Sequence, residues 1–365
     1  MNYHTYPYGH DYGNSKTCGI AYIGSSVCAQ TMPSALYEGS QEELESMSMG
    51  GDLRQTGTLN DRSHIIKVNG NEFYVGDLAI EQAPSMNIAE LTSRGDITRY
   101  WSVRSLAMLL ATSGTVIKDR EYGLIIVTGL PIATHNEENI QAIKNALEGD
   151  HDFILDGERR IAHVAVRKII MEGSGANIAH GAIGKVKAGI IDIGGRTTDI
   201  YMVSGQTPIK DQCKSFDMGV ESAIDSLIEA FEKEFRYPLS AGDAAKLQNC
   251  FVDTKSYDFV ATVRNAGANH QRVDALLSKS LGEVGRKISG FIKRSWSSSL
   301  RNDVVASDAE YVLLVGGGAY YFEEGIRALF QNRLSLPHKP ELANAAGYAR
   351  LALHFSNRDL KEQVS

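Results

Sequence analysis

Apolar positions run along the chain in two rhythms. Residues 123–130 form a nearly unbroken apolar stretch stopped by Pro131, which reads as a buried strand. Tyr311-Val312-Leu313-Leu314-Val315 is a second such strand, and 187–193 and 198–203 make an adjoining pair. A weaker strand is expected over 160–166. Elsewhere the period is helical: Trp101, Val103, Leu106, Leu109 and Leu110 line one face of 98–113, with Asp96 placed to cap it. Further helices are expected over 137–147, 220–235, 273–293, 322–330 and 342–354. Strands alternating with helices predict an α/β fold with mostly parallel sheets.

Two stretches break the rhythm. From Tyr37 to Met86 the chain turns polar and Gly-rich, apart from one hairpin in which 64–68 and 72–75 flank Asn69-Gly70. Asn-Gly accepts positive φ at both turn positions, so a type I′ turn is expected. Another polar stretch separates the helices at 220–235 and 273–293. The resulting division is a first half over 1–175 with an insert at about 36–95, and a second half over 176–365 with an insert at about 219–307. The last helix, 342–354, is free to pack back on the first half. Pro7 lacks a ladder donor, so the first strand is expected to be short and to start near Tyr8.

With 365 residues, 43% of them hydrophobic, the chain holds material for two cores. Its net charge of −7 disfavours broad contact with phosphate backbones, so no direct nucleic-acid binding is expected. Cys18, Cys28, Cys213 and Cys250 show no CxxC pair or zinc spacing, which fits reduced thiols. The first ten residues carry no apolar signal core, and the longest apolar runs fall far short of the roughly 20 residues that span a bilayer. A cytoplasmic protein without membrane attachment is expected.

Chemistry concentrates in three segments. Asp11-Tyr12-Gly13-Asn14-Ser15-Lys16-Thr17 and Asp192-Ile193-Gly194-Gly195-Arg196-Thr197-Thr198 each place Asp-x-Gly at a strand end, before a polar turn and a second strand. They lie 181 residues apart, about half the chain, as an internal duplication would place them. Glycine lets backbone approach an anion, and successive N–H groups then form a concave nest for phosphate oxygens. Ser15, Thr197 and Thr198 add hydroxyls. Asp11 and Asp192 repel phosphate but suit a magnesium ion held through its water shell. The third segment, Leu314-Val315-Gly316-Gly317-Gly318-Ala319, runs from a strand through three glycines into a helix, so a flat ring can lie on its backbone. Taken singly, each piece is compatible with an ordinary hairpin or loop.

In order and at these spacings, the three segments resemble the phosphate-1, phosphate-2 and adenosine motifs of the actin-like ATPase superfamily. Within it the chain looks most like ParM-type plasmid-segregation actins and archaeal actin-like proteins. The stretch from Ile191 to Ile200 carries most of the likeness, supported by 216–224 and by Ala343-Asn344-Ala345-Ala346-Gly347-Tyr348, which resembles the second connection between halves. The resemblance implies duplicated ribonuclease H-like α/β domains with ATP and Mg²⁺ in the cleft between them, and small insert subdomains. It implies nucleotide contacts at Asp11, Gly13, Asn14, Ser15 and Lys16, at Asp192, Gly194, Gly195, Arg196 and Thr197, and at Gly316, Gly317, Gly318 and Ala319. Gly219 would lie near the ribose, with Glu221 and Ser222 either its hydroxyl partners or simple caps of their helix. Glu172 falls where relatives carry a hydrolytic Glu or Gln on the first interdomain helix. It either orients the attacking water or is a helix N-terminal acid favoured by the dipole.

Two departures stand out. Relatives often carry a phosphate-binding Lys where this chain has Cys18; Lys16 shares its face and either substitutes or is solvated. Arg196 stands where a small residue is common, and either reaches a phosphate or faces solvent.

The resemblance implies an ATPase whose hydrolysis drives turnover of a homopolymeric filament, with plasmid or other DNA cargo attached through a DNA-binding adaptor. A small-molecule kinase or a non-polymerising ATPase of the same superfamily is the alternative. No Asp general base near Glu172 marks a sugar kinase, and no long C-terminal substrate domain marks a chaperone. The absence of an amphipathic terminus weighs against a membrane-tethered cell-shape role.

Overall fold

A computed structural model describes all residues except 1–2, 48–52, 55–56, 84–90, 93–95, 182–185, 206, 254, 258–259, 298–304 and 365, and the side chains of 360–364. Parts of both expected inserts therefore lie outside the described residues. The chain forms two compact units, residues 1–182 with 342–365, and residues 183–341. The last helix, Ala343–Val364, belongs to the first unit, and the units part between 182 and 183 rather than 175 and 176.

In the first unit the strands are β1 (His4–Tyr12), β2 (Lys16–Ile23), β3 (Ser26–Pro33), β4 (Leu36–Glu38), β5 (Ser63–Val68), β6 (Asn71–Gly76), β7 (Glu121–Leu130), β8 (Gly149–Leu155) and β9 (Glu158–Met171). Among the described residues they form one sheet in the order β3-β2-β1-β7-β9-β8-β5-β6-β4. In the second unit β10 (Lys187–Ile193), β11 (Thr198–Ser204), β12 (Thr207–Pro208), β14 (Tyr311–Val315) and β15 (Leu334–Ser335) take the order β12-β11-β10-β14-β15, with β13 (Lys214–Phe216) paired to β11.

The first five positions of the larger sheet match the smaller one strand for strand. β1 pairs β2 antiparallel and β7 parallel, as β10 pairs β11 antiparallel and β14 parallel. β7 pairs β9 parallel, as β14 pairs β15. Register repeats as well: Asp11 faces Cys18 and Tyr12 faces Thr17, while Asp192 faces Asp199 and Ile193 faces Thr198. The duplication read from two short motifs thus extends to five strands of each sheet.

Helices cover these sheets. Val103–Val116 lies in a core with Tyr8, Leu124 and Ile126 of β1 and β7. Ala343–Val364 packs so closely on β1 that a Cβ on Gly9 would stand 2.2 Å from the Ala345 carbonyl oxygen. The long helix His270–Trp296 serves two cores: Val273 and Leu277 join the helices around Leu227, Phe231 and Leu247, and Ile288, Ile292 and Trp296 join the sheet.

Several expectations change. β1 runs from His4, not from Tyr8, and pairs with β7 from His4 to His10. Its ladder to β2 starts only at Tyr8, so on that flank Pro7 has no partner strand to miss its donor. The expected helix over 98–113 splits into a 3₁₀ turn, Ile97–Trp101, and the helix Val103–Val116, because buried Arg99 and Tyr100 fix the first turn. Asp96 does accept from the Thr98 N–H, at 2.9 Å. The strand expected over 160–166 is the middle of β9, and β8 before it was missed, although Asp156 and Gly157 at φ 50° and 83° form the same kind of turn as Asn69 and Gly70 at 50° and 77°. The first insert has its own small core, including Leu44, Ile65, Tyr74 and Leu78, but its strands extend the main sheet through β5 and β8.

Candidate functional site

Each Asp-x-Gly turn is held from behind by its carbonyl groups. In the second unit, Gly194 closes the hairpin with its N–H on the Thr197 carbonyl at 2.9 Å. The Gly194 and Gly195 carbonyls accept from Val220 and Glu221, the first N–H groups of the helix Val220–Phe235, at 3.2 and 2.7 Å. Gly219 makes this approach workable, since a Cβ there would stand 2.5 and 2.6 Å from those same oxygens. With carbonyls turned to the helix, the N–H groups of Gly195, Arg196 and Thr197 have no backbone acceptor among the described residues. Successive N–H groups without a backbone acceptor are what an anion nest is built from.

The Gly316–Gly318 turn meets this loop directly. Gly316 holds φ 82°, and a Cβ on it would fall 2.4 Å from both Asp192 Oδ1 and the Ile193 carbonyl oxygen. Gly318 donates to the Ile193 carbonyl at 2.7 Å. A Cβ on Gly317, by contrast, would meet nothing within 4 Å, so the middle glycine fronts open space. Ala319 is buried and starts the helix Ala319–Phe330. Asp192, Gly194, Gly195, Thr197, Gly219 and the three glycines are therefore neighbours in one unit.

Arg196 is exposed and pairs with exposed Asp217, Nε to Oδ1 at 2.7 Å, and that hydrogen bond raises its pKa. Ser222 Oγ lies 3.5 Å from the Gly219 N–H, a contact at the limit of a capping bond, and Glu221 stands close enough to act on Arg196. Asp199, opposite Asp192 on β11, is buried; desolvation raises its pKa against the lowering pull of bonds to Ser215 and Thr197.

In the first unit, buried Ser34 at the end of β3 plays the part of the helix N-terminus. Its hydroxyl donates to the Gly13 carbonyl at 2.8 Å and its N–H to the Ser15 carbonyl at 3.0 Å, while Thr17 Oγ1 lies 2.9 Å from Ser34 Oγ. The Tyr12 carbonyl accepts from Arg99 at 2.9 Å. Gly13 is required because a Cβ would stand 2.6 Å from the Lys16 carbonyl oxygen. Asp11, Asn14 and Ser15 are half-buried, and Lys16 is exposed. Cys18, on the face it shares with Lys16, is buried against Ala345 and Ala349 of the last helix.

Glu172 is not on a helix. It follows β9 in a turn ahead of the short helix Ser174–His180, with its N–H on the Leu130 carbonyl at 2.8 Å. Asn344 sets that turn: its Oδ1 accepts from Gly173 at 3.1 Å and Ala176 at 3.2 Å. Gly175 backs onto Gly347 of the same last helix, where a Cβ on Gly347 would be 1.8 Å from the Gly175 carbonyl oxygen. Glu172 and Asp11 share a neighbourhood. Burial is the main cause that raises the Tyr100 pKa, and both carboxylates add to it.

Ser34, Arg99 and Tyr100 were not singled out from the sequence. Nothing local marks them, because their partners are distant in the chain. Asn344 lies within the 343–348 motif, but its bond to the Glu172 turn joins residues too far apart in the chain for a local pattern to show.

The family described as actin-like proteins, N-terminal domain, matches residues 9–175. The family described as archaeal actin homologue MreB-like, C-terminal, matches residues 190–328. The chain belongs to the actin-like proteins. This actin-like chain resembles solved structures along nearly its whole length. The archaeal actin homologue Ta0583, solved in complex with ADP, is 19% identical with a TM-score of 0.69, covering 96% of this chain and 99% of its own. A ParM from a 15-stranded filament of Clostridium botulinum is 20% identical with a TM-score of 0.70, over 97% and 100%. Bacillus thuringiensis ParM with ATP is 15% identical with a TM-score of 0.65, over 96% and 99%. Comparison with curated proteins gave no match. Among the described residues, no cluster of three or more His, Cys, Asp or Glu side chains suits a metal ion, and no helix is long and apolar enough to cross a membrane.

Proposed function

We propose that this protein binds Mg-ATP, assembles with ATP into a homopolymeric filament, and hydrolyses the nucleotide as the filament turns over. One observation carries the reading. Two hairpins of the same register, each with an aspartate before the turn, have their carbonyls tied back.

The donor run at Gly195, Arg196 and Thr197 suits phosphate oxygens, as do Gly13, Asn14, Ser15 and Lys16 on the other hairpin. Asp11 and Asp192, one carboxylate ahead of each turn, each suit a magnesium ion held through its waters. The open face of Gly317, flanked by Gly316, Gly318 and Ala319, suits a flat base, and Gly219, Glu221 and Ser222 suit the ribose. Bound Mg-ATP supplies a reactive γ-phosphoryl group with part of its charge neutralised. Glu172, fixed by Asn344 and the Leu130 carbonyl, orients a water and takes its proton late. Arg196, engaged with Asp217, faces solvent.

The relatives solved as ParM and as a ParM filament support self-assembly by a head-to-tail contact that does not close into a ring. We extend this to a cytoplasmic role in segregating plasmid DNA through a DNA-binding adaptor, since a net charge of −7 leaves the chain poorly suited to hold DNA itself.

Light scattering and pelleting with and without Mg-ATP test the proposal on the wild type and Glu172→Ala. Both are expected to polymerise with ATP, and the variant's polymer to disassemble more slowly. If neither pellets with any nucleotide, the filament is refuted. Sugar-dependent ADP release by the same protein would point to a kinase.

A further inference from the structure

Arg99 is 2% exposed, and its charge lies directly behind the Asp11 hairpin. Nη2 donates to the Tyr12 carbonyl at 2.9 Å and Nη1 to the Thr92 carbonyl at 3.2 Å. The guanidinium carbon stands 4.6 Å from the Tyr12 ring centre and 4.8 Å from that of Tyr100. Nε has no partner, and no carboxylate pairs with the side chain among the described residues.

A guanidinium cannot shed its charge, and a buried charge without a counter-ion is costly. Two carbonyls and two ring faces offset part of that cost, and the carboxylates of Asp11 and Glu172, which do not pair with the guanidinium directly, act on Tyr100 beside it. The bonded carbonyl is that of Tyr12, the residue between Asp11 and Gly13, so the cation is fixed against the backbone of the turn. Lys16, the hairpin's other cation, is exposed and screened by solvent and salt.

We infer that Arg99 is a positioning residue whose buried charge makes the Asp11 hairpin favour ligands with more phosphate charge, ATP over ADP. This rests on the nucleotide reading above. At an effective dielectric of about 20, one buried unit charge changes the relative affinity of ligands differing by one charge by about tenfold.

The test measures dissociation constants for Mg-ATP, Mg-ADP and adenosine by calorimetry on the wild type, Arg99→Met and Arg99→Lys. Arg99→Met is expected to cut the ATP-over-ADP preference about tenfold, with little change for adenosine. Arg99→Lys is expected to keep the preference within about twofold, even if all affinities fall, because the charge remains. If Arg99→Met weakens every ligand by the same factor, the arginine only braces the turn and the inference fails. Should Arg99→Met not fold, Arg99→Gln, which removes the charge but keeps an amide donor for the Tyr12 carbonyl, decides: a lost preference supports the inference and a preserved one overturns it. A wild type that binds neither nucleotide refutes the function itself; one that binds both, with the preference unchanged in Arg99→Met, refutes this inference alone.

Discussion

Acid should weaken the first unit, and one residue, His10, contributes a share that can be isolated. It precedes Asp11 on β1, is 2% exposed, and lies between the rings of Tyr8 and Tyr12, 6.3 and 6.2 Å away. Both ring nitrogens are buried without a partner among the described residues. Desolvation pushes its pKa from 6.5 down to about 3. Above pH 6.5 the ring is neutral folded or unfolded, and the residue adds no pH dependence. As pH falls below 6.5 the unfolded chain takes the proton and the folded chain refuses it, so stability drops by about 1.4 kcal/mol per pH unit until about pH 3. At pH 5.0 the loss from this group is about 2 kcal/mol.

Urea unfolding of the wild type and His10→Phe at pH 7.5 and 5.0 measures it. Phenylalanine keeps an aromatic ring between the tyrosines and cannot titrate, and all other groups cancel in the comparison. The wild type should lose about 2 kcal/mol more than the variant between the two pH values. Parallel losses, within about 0.5 kcal/mol, would mean that the imidazole reaches solvent or a partner in the folded chain, and the reasoning would fail.

Two neighbouring glycines should respond differently to the same methyl group. Gly316→Ala places a Cβ against Asp192 at positive φ and should cost about 2 kcal/mol or more in thermal stability. Gly317→Ala should leave stability within about 0.5 kcal/mol but weaken nucleotide binding, because its Cβ would enter the open face. Ser34→Ala strips a donor from the Gly13 carbonyl and a partner from Thr17, and should cost about 1 to 2 kcal/mol in urea unfolding along with some loss of nucleotide affinity. An unchanged midpoint would show that the turn does not depend on that hydroxyl.

Local rules were enough for part of this protein. The helices Glu137–Leu147 and Val220–Phe235 and the strand Tyr311–Val315 lie where their periodicity puts them, since an apolar stripe or run is written in consecutive residues. Asn69-Gly70 makes its turn because those two residues accept positive φ on their own account. Both Asp-x-Gly motifs could be found for the same reason, as glycine's tolerance of close approach is a property of the residue.

Tertiary structure decided what those motifs rest on. Whether Pro7 interrupts β1 depends on where a neighbouring strand begins, and whether 97–116 is one helix depends on what Arg99 reaches. Glu172 leaves the expected helix because Leu130 and Asn344 hold its turn, and Asn344 lies 172 positions further along the chain. Ser34 braces one Asp-x-Gly turn and a helix N-terminus braces the other, a substitution of one donor for another that no local pattern records. Hydrogen-bond partners of buried carbonyls must come from somewhere, but which residue supplies them is set only when distant segments pack.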